Sequence, residues 1–347
     1  MVHPKHFHME LDEHALLEEF DERVKEGVVI YEGDHQVIRE TYNGFPFEFR
    51  ILKGHASKPE VSSSGSTPSA SSATISSNGS TAHRPKTPEY LPGSDISLTG
   101  FEVRNSNADV GLGHYMIFNK FCAARPHYLL LTQNGHRRQH ESLNFDDFGT
   151  LWGVLSVLNK DWEAKKPGAR RYMGMFNCGI DSGCSRLHKH MQVLAVPDEA
   201  EFGLWPDSAS KYEEPKCIPF KYYKHDIDGR LDELSREREA WERYFEFTAA
   251  AQEGLMKAGY IPNAPDGVDA TEIVPHNIIL TREWLLVIPR TQAGMNGADA
   301  NAAGYLGMVW VSDEGRMRKW TDQGPVQLLT RLGLPNDIQE FYSKQID

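Results

Sequence analysis

The chain has 347 residues, 39% of them hydrophobic and 25% charged, and carries a formal net charge of −12 at pH 7. That length permits a large buried core, as one large domain or two of ordinary size. The charge gives the surface as a whole no electrostatic reason to hold nucleic acid or an anionic membrane, and no run of eighteen apolar residues is present to span a bilayer.

The start, Met1-Val2-His3-Pro4-Lys5-His6, has no apolar stretch behind it, so no secretory signal is expected. The cytoplasm is the expected compartment, with the nucleus open as a second. Four cysteines (Cys122, Cys178, Cys184, Cys217) without a C-x-x-C spacing agree with it and are expected as free thiols.

Taken in chain order, Leu16, Leu17, Phe20 and Val24 share one face of a helix over 11–26 that stops at Gly27. The alternation of Phe45-Pro46-Phe47-Glu48-Phe49-Arg50-Ile51 predicts a strand. Serine then dominates residues 55–88, with Val61 and Ile75 almost the only large apolar side chains, and a disordered insertion is expected there. Apolar runs at 114–118 and 127–132, on either side of Asn119-Lys120-Phe121 and Pro126, predict adjacent antiparallel strands. Asn144 can cap a helix with Phe148, Leu151, Trp152, Leu155 and Leu158 on its buried stripe. Strands follow over 172–176 and 188–196, separated by a glycine-rich turn.

After Pro197 an irregular stretch leads to a long helix over 231–258, with Leu234, Trp241, Phe245, Thr248 and Leu255 read as its buried side and Gly259 as its cap. Runs at 277–281 and 284–289 repeat the rhythm of 114–132. A strand over 305–311 and short helices around Trp320 and Leu328 complete the order. Strands, helix, then strands again favour an α+β fold over a doubly wound sheet.

The stretch Asn177-Cys178-Gly179-Ile180-Asp181-Ser182-Gly183-Cys184-Ser185-Arg186-Leu187-His188-Lys189-His190-Met191-Gln192 reads as chemistry rather than packing. Period two on a strand aligns His188, His190 and Gln192 on one face beside a turn whose glycines and hydroxyls can hold phosphate. A neutral imidazole there can attack a phosphorus atom and split one displacement between two anions into two steps. The same His-x-His spacing can ligate zinc, but no H-E-x-x-H or cysteine pair accompanies it, and His3, His6, His8 and His14 lie in a terminus expected to fray. No protein-bound zinc is expected.

This string resembles the N-S-G-x-x-S-G-x-S-Q-x-H-K-H-L-Q signature of the fungal diadenosine tetraphosphate phosphorylases, or ATP adenylyltransferases, of the histidine-triad superfamily, in the branch with galactose-1-phosphate uridylyltransferase. The resemblance extends to Phe47–Arg50 with Ser57-Lys58-Pro59, to Asn119-Lys120-Phe121 with Pro126–Leu130, and to His276-Asn277 through Pro289-Arg290. It continues through Asn301–Met308 and from Gly324-Pro325 to Gly333. It implies two fused histidine-triad-like halves with antiparallel sheets and packed helices, a catalytic half over 1–200 and an ATP adenylyltransferase half over 201–347. One chain would then supply both sides of the site, so a monomer is expected.

The implied reaction is phosphorolysis of diadenosine tetraphosphate with inorganic phosphate to ADP and ATP, reversible, through an adenylyl group on His190. His188 would orient that ring. Gln192 cannot act as acid or base, which suits an intermediate that waits for phosphate rather than water. Asn177, Ser182, Gly183, Cys184, Ser185 and Arg186 would hold phosphates, with Lys58 on a distal one. Asn119 and Lys120 would hold the nucleotide, and Asn301, Ala302, Ala303 and Met308 would close the pocket. A divalent cation, magnesium above others, would arrive on the polyphosphate. Without the resemblance, Lys120 is a surface lysine, Asn301 a turn residue, Gln192 a polar edge residue and Met308 core.

The chain also departs from the pattern. Arg186 replaces a small or amide side chain, Cys178 a serine and Met191 a leucine, while Ser312 stands where relatives carry a phosphate-binding lysine. Arg186 can supply the cation missing at Ser312. Two other readings stay open: an enzyme that passes the adenylyl group to water or another acceptor, and a nucleotide-binding protein with little turnover.

Overall fold

The computed structural model describes residues 11–54, 89–103, 109–207 and 218–336. The serine-rich segment 55–88 and Lys58 within it lie outside those residues, as does Cys217. The described elements are α1 (Glu13–Lys25), β1 (Gln36–Tyr42), β2 (Phe45–Ile51), β3 (Asp109–Gly111), β4 (His114–Phe118), β5 (His127–Thr132), α2 (Phe145–Leu158), α3 (Lys160–Glu163), β6 (Tyr172–Cys178), β7 (His190–Ala195) and β8 (Tyr223–Asp226). They continue with α4 (Glu233–Lys257), β9 (His276–Leu280), β10 (Trp284–Pro289), β11 (Gly294–Met295), β12 (Ala298–Asp299), α5 (Ala302–Tyr305), β13 (Met308–Val311), α6 (Glu314–Thr321) and α7 (Pro325–Leu332). None of the described helices is long and apolar enough to cross a membrane.

An eight-stranded antiparallel sheet in the order β3-β4-β5-β7-β6-β9-β10-β8 runs through both halves of the chain. The halves meet where β6 pairs with β9, with Asn177 opposite Asn277. A smaller sheet, β1-β2-β13, ties the N-terminal hairpin to the C-terminal half through the parallel pair β2–β13. The fold is α+β.

Strand alternation divides the interior in two. Met191, Val193, Ile278, Leu280, Leu285 and Val287 point to one face of the large sheet, where α1, α2 and α4 cover them. Met173, Met175, Leu194, Ile279, Leu286 and Ile288 point to the other, against Phe45, Phe47 and Phe49 of β2 and against α5 to α7. His190 and Gln192 alternate with Met191 and Val193, so they belong to this second face. Asn144 caps α2 through a capping box with Asp147, and the five apolar residues expected on that helix are all buried.

Three expectations are corrected. The long helix buries Ala240, Tyr244, Ala251 and Leu255, while Leu234 and Phe245 are 41% and 68% exposed. Small side chains at 240 and 251 let α4 lie close to the sheet, a criterion that selecting the largest apolar residues passes over. The run 305–311 divides into the end of α5 and the strand β13. The strand expected over 188–196 begins at His190 and ends at Ala195, and His188 precedes it, bridged to Arg138.

Candidate active site

A cavity of about 410 Å³ opens on the second face of the large sheet. Its floor is made by inward residues of four neighbouring strands: Ile117 of β4, His127 and Leu129 of β5, Gln192 and His190 of β7, and Asn177 of β6. The walls come from the loop holding Asp95, Ile96, Thr99 and Phe101, from Asn119 to Phe121, from Gly183, Ser185 and Arg186, and from Asn301 and Trp310 of the C-terminal half. One end is thus aromatic and aliphatic; the other is lined by amides, hydroxyls and cations.

His190 is 5% exposed and its Nδ1 donates to the backbone oxygen of His188 at 2.8 Å. This places the proton on Nδ1 and the lone pair on Nε2. His188 is fully buried, with Nδ1 at 2.7 Å from Ser94 Oγ and Nε2 at 2.9 Å from Thr132 Oγ1. The Thr132 hydroxyl also donates to Asn134 O, so it accepts from His188 Nε2, and Ser94 Oγ, which also lies 3.0 Å from Ile96 O, stands against Nδ1. Burial, aided by His190, lowers the His188 pKa to about 4, so its ring is neutral at pH 7. His188 therefore orients His190 through its carbonyl, and its own ring is a fixed part of the scaffold.

The glycine-rich loop is held from behind by the C-terminal half. Asn177 Oδ1 accepts from Ala302 N–H at 2.9 Å and from Asn277 Nδ2 at 2.8 Å, which leaves its amide nitrogen as the donor group on the cavity side. Asn277 Nδ2 also donates to Ser182 O at 2.9 Å. The fully buried Arg290 donates to Ser182 O, Ala300 O, Gln292 O and Leu332 O and to Asn277 Oδ1. One cation thereby fastens the loop, β9 and the segment before α5 to each other.

The opposite face of the His-x-His segment is fastened as well. Lys189 points away from the cavity, its Nζ 2.6 Å from Asp147 Oδ2 and 2.7 Å from Ser142 O. Asp147 also accepts from His114 Nε2 at 3.0 Å and from Asn144 N–H. Burial pushes the Asp147 carboxyl up, but His114 and Lys189 outweigh it and hold the pKa well below the usual range. Breaking such a buried pair costs about 3–5 kcal/mol.

Of the residues expected from the sequence, Asn119, Lys120, Asn177, Gly183, Ser185, Arg186, His190, Gln192 and Asn301 line the cavity. Lys120 and Arg186 are not ion-paired to any described carboxylate, and both face it. Ser182 is fully buried and donates to Cys178 O, and Cys184 does not line the cavity. Ala302, Ala303 and Met308 are core residues behind the wall, Met308 only 2% exposed, so they support the pocket without contacting its interior. Asn301 is also the cap of α5, accepting from Ala303 and Gly304 N–H. Ser312 donates to Asp313 and does not line the cavity.

His127, Asp95, Phe101 and Trp310 were not singled out in the sequence. A usable signal existed for His127, because it begins an apolar strand at a position that alternates with Tyr128 and shares its side with Leu129.

A model of the Ap4A phosphorylase N-terminal domain matches residues 102–206, and one of the ATP adenylyltransferase C-terminal domain matches residues 216–335. Diadenosine 5',5'''-P1,P4-tetraphosphate phosphorylase 2 of Saccharomyces cerevisiae is 25% identical over 244 residues, covering 65% of this chain and 71% of its own. Protein APA1 of the same yeast is 25% identical over 238 residues, covering 64% of this chain and 69% of its own. The crystal structure of yeast Ap4A phosphorylase Apa2 superposes with a TM-score of 0.63 at 18% identity, over 94% of this chain and 96% of that one. With both domain models matched in order and the cavity walls drawn from both, the chain belongs to the Ap4A phosphorylase family and is a nucleotidyltransferase.

Proposed function

We propose that this protein cleaves diadenosine tetraphosphate with inorganic phosphate to ADP and ATP, through a covalent adenylyl group on His190 Nε2, and that the same steps run in reverse. The observation that carries the reading is the His190 ring on the cavity floor, its Nδ1 proton tied to His188 O so that Nε2 is the nitrogen that holds the lone pair. That lone pair attacks the α-phosphorus of one adenosine end, the bridging P–O bond breaks, and ATP leaves with the bond's electrons. A phosphate oxygen then attacks the same phosphorus, the P–N bond breaks back onto Nε2, and ADP departs. Asn177, Ser185, Lys120 and Arg186 surround the path of the phosphates, while Phe101, Phe118, Phe121 and Trp310 offer apolar surface for a base.

A divalent cation on the polyphosphate fits this lining. The Asp95 carboxylate accepts from Leu187 and His188 N–H, one on each oxygen, and no described group of three His, Cys, Asp or Glu could hold an ion. Magnesium would be carried by phosphate oxygens and water, shielding their charge.

Product analysis tests the reading. With phosphate present, diadenosine tetraphosphate is expected to give ADP and ATP in equal amounts, with label from phosphate in ADP. AMP and ATP, formed whether or not phosphate is added, would assign water as the acceptor. Arg186 bears on the same site: Arg186→Gln is expected to weaken nucleotide binding about tenfold by titration, the scale of one charged hydrogen-bonding group lost to a phosphate. Binding as tight as the parent's would remove Arg186 from the phosphate path.

A further inference from the structure

The structure assigns to Gln139 the role of a positioning residue that acts as a spacer: its side-chain amide stands between β6 and β7 and sets how far Asn177 is from His190. The inference rests on the reaction proposed above. Gln139 is 3% exposed and does not line the cavity, so it acts through the two residues it holds apart.

The register shows what the amide replaces. β6 and β7 pair from Tyr172 and Ala195 to Met175 and Gln192, and the pairing ends there. Both strands nevertheless run on, β6 to Cys178 against β9 and β7 back to His190 against β5. Carried further, the same register sets Asn177 opposite His190. Val196 N–H donates to Arg171 O at 2.7 Å, and antiparallel pairs alternate between bonded and non-bonded kinds. Every second pair from there is of the bonded kind, and Asn177 with His190 is one of them.

At that pair the amide intervenes. His190 N–H donates to Gln139 Oε1 at 2.8 Å, and Gln139 Nε2 donates to Asn177 O at 3.1 Å and to His190 O at 3.0 Å. The direction of the amide is fixed, because the two carbonyls can only accept and the peptide N–H can only donate. The main chain of Gln139 is held too, donating to Leu187 O at 2.8 Å and accepting from Gly179 N–H at 2.9 Å. Gln139 thus grips both ends of the glycine-rich loop and both strands that flank it.

An amide with a hydrogen bond on either side fills the place of one hydrogen bond of about 2.9 Å, so the strands part. Opposed residues project to the same face, and Asn177 and His190 both line the cavity. The parting gives room for a phosphoryl group with its phosphorus at His190 Nε2 and an oxygen at the Asn177 amide, where charge builds as the bond forms. Without the spacer, His190 N–H can bond to Asn177 O directly and the gap closes.

The test uses the full chain: kcat and KM for consumption of diadenosine tetraphosphate with phosphate, a thermal unfolding midpoint, and crystal structures of parent and variant. Gln139→Ala is expected to bring His190 N–H onto Asn177 O and to lower kcat about 100-fold, the cost of misplacing a reacting group by about 1 Å, with KM within about threefold. Gln139→Glu keeps the length and the acceptor for His190 N–H, and its neutral carboxyl has one hydroxyl to give to a carbonyl. Burial and the facing carbonyl oxygens favour that neutral form, whose share falls as pH rises, so kcat relative to the parent should be higher at about pH 6 than at about pH 8.5. For Gln139→Ala the same ratio should stay flat. A residue that only stabilised the fold would leave kcat of the folded variants unchanged. Parental kcat in a folded Gln139→Ala, a loss confined to KM, or strands as far apart in its crystal structure as in the parent's would overturn the inference alone. Should the alanine variant not fold, Gln139→Glu decides, and a ratio to the parent that is the same at both pH values overturns it. A parent that consumes no dinucleotide would instead overturn the reaction proposed above, and this inference with it.

Discussion

His190→Ala is expected to fold with a thermal midpoint close to the parent's and to lose at least about 10⁴-fold in turnover, the order seen when a covalent nucleophile is removed. Folding should survive because the ring faces a cavity, and its Nδ1 contact to His188 O is a single hydrogen bond worth about 1 kcal/mol. Turnover should not, because neither of the described imidazoles beside it, His188 and His127, can take its place. Both His188 ring nitrogens are held by hydroxyls and the ring is fully buried, while His127 is committed between Asn119 and Gln192. The check is a trapping experiment: parent enzyme mixed with dinucleotide labelled in the adenylyl group and quenched in base should retain label as an acid-labile phosphoramidate, and His190→Ala should retain none. Label on the variant, or parental phosphorolysis by it, would sink the covalent mechanism. If the parent binds nucleotide but neither traps label nor turns over, a binding protein with little activity becomes the better account.

How far the sequence exposed this arrangement depends on the range of the interactions involved. The pair β4–β5 and the capped helix α2 were legible because their signals are local: alternating apolar runs across a short connection, and Asn144 three residues before Asp147. β1 was missed because its residues are mostly exposed and show no apolar alternation, although Asn43-Gly44, at φ 50° and 80°, marks the hairpin that precedes β2. The stripe on α4 was misread because what decides it is the distance to β10, a tertiary quantity. In the site, the motif brought His190, Gln192 and the loop into view together, since all lie within sixteen consecutive residues. Ser182 and Met308 could not be told from contact residues, because the Ser182 hydroxyl turns back to Cys178 O and Met308 packs into the core against the β2 aromatics. Trp310 and Phe101 reach the cavity only through folding of distant segments, and no spacing in the sequence announces that.

Gly183→Ala should have the second largest effect, and the reason lies in how the two halves meet. Gly183 has φ +77°, a region that costs an alanine about 1–2 kcal/mol. A methyl group there would also stand 2.4 Å from Ala300 O and 3.1 Å from Ala300 C. Ala300 cannot move aside freely, because its carbonyl accepts from Arg290 at 2.9 Å and Ala302 N–H is held by Asn177. The loop must yield instead and carry Ser185 and Arg186 with it. A displacement near 1 Å is expected to lower kcat/KM about 100-fold. Gly267→Ala is the control: its φ is +81° and nothing lies within 4 Å of the added carbon, so it should lose about 1–2 kcal/mol and keep parental turnover. If Gly183→Ala instead matched Gly267→Ala in both midpoint and kcat/KM, the contact with Ala300 would not be setting the loop. The expected divergence follows from a division of labour: the N-terminal half supplies His190 and the glycine-rich loop, and the backbone of the C-terminal half fixes where that loop stands.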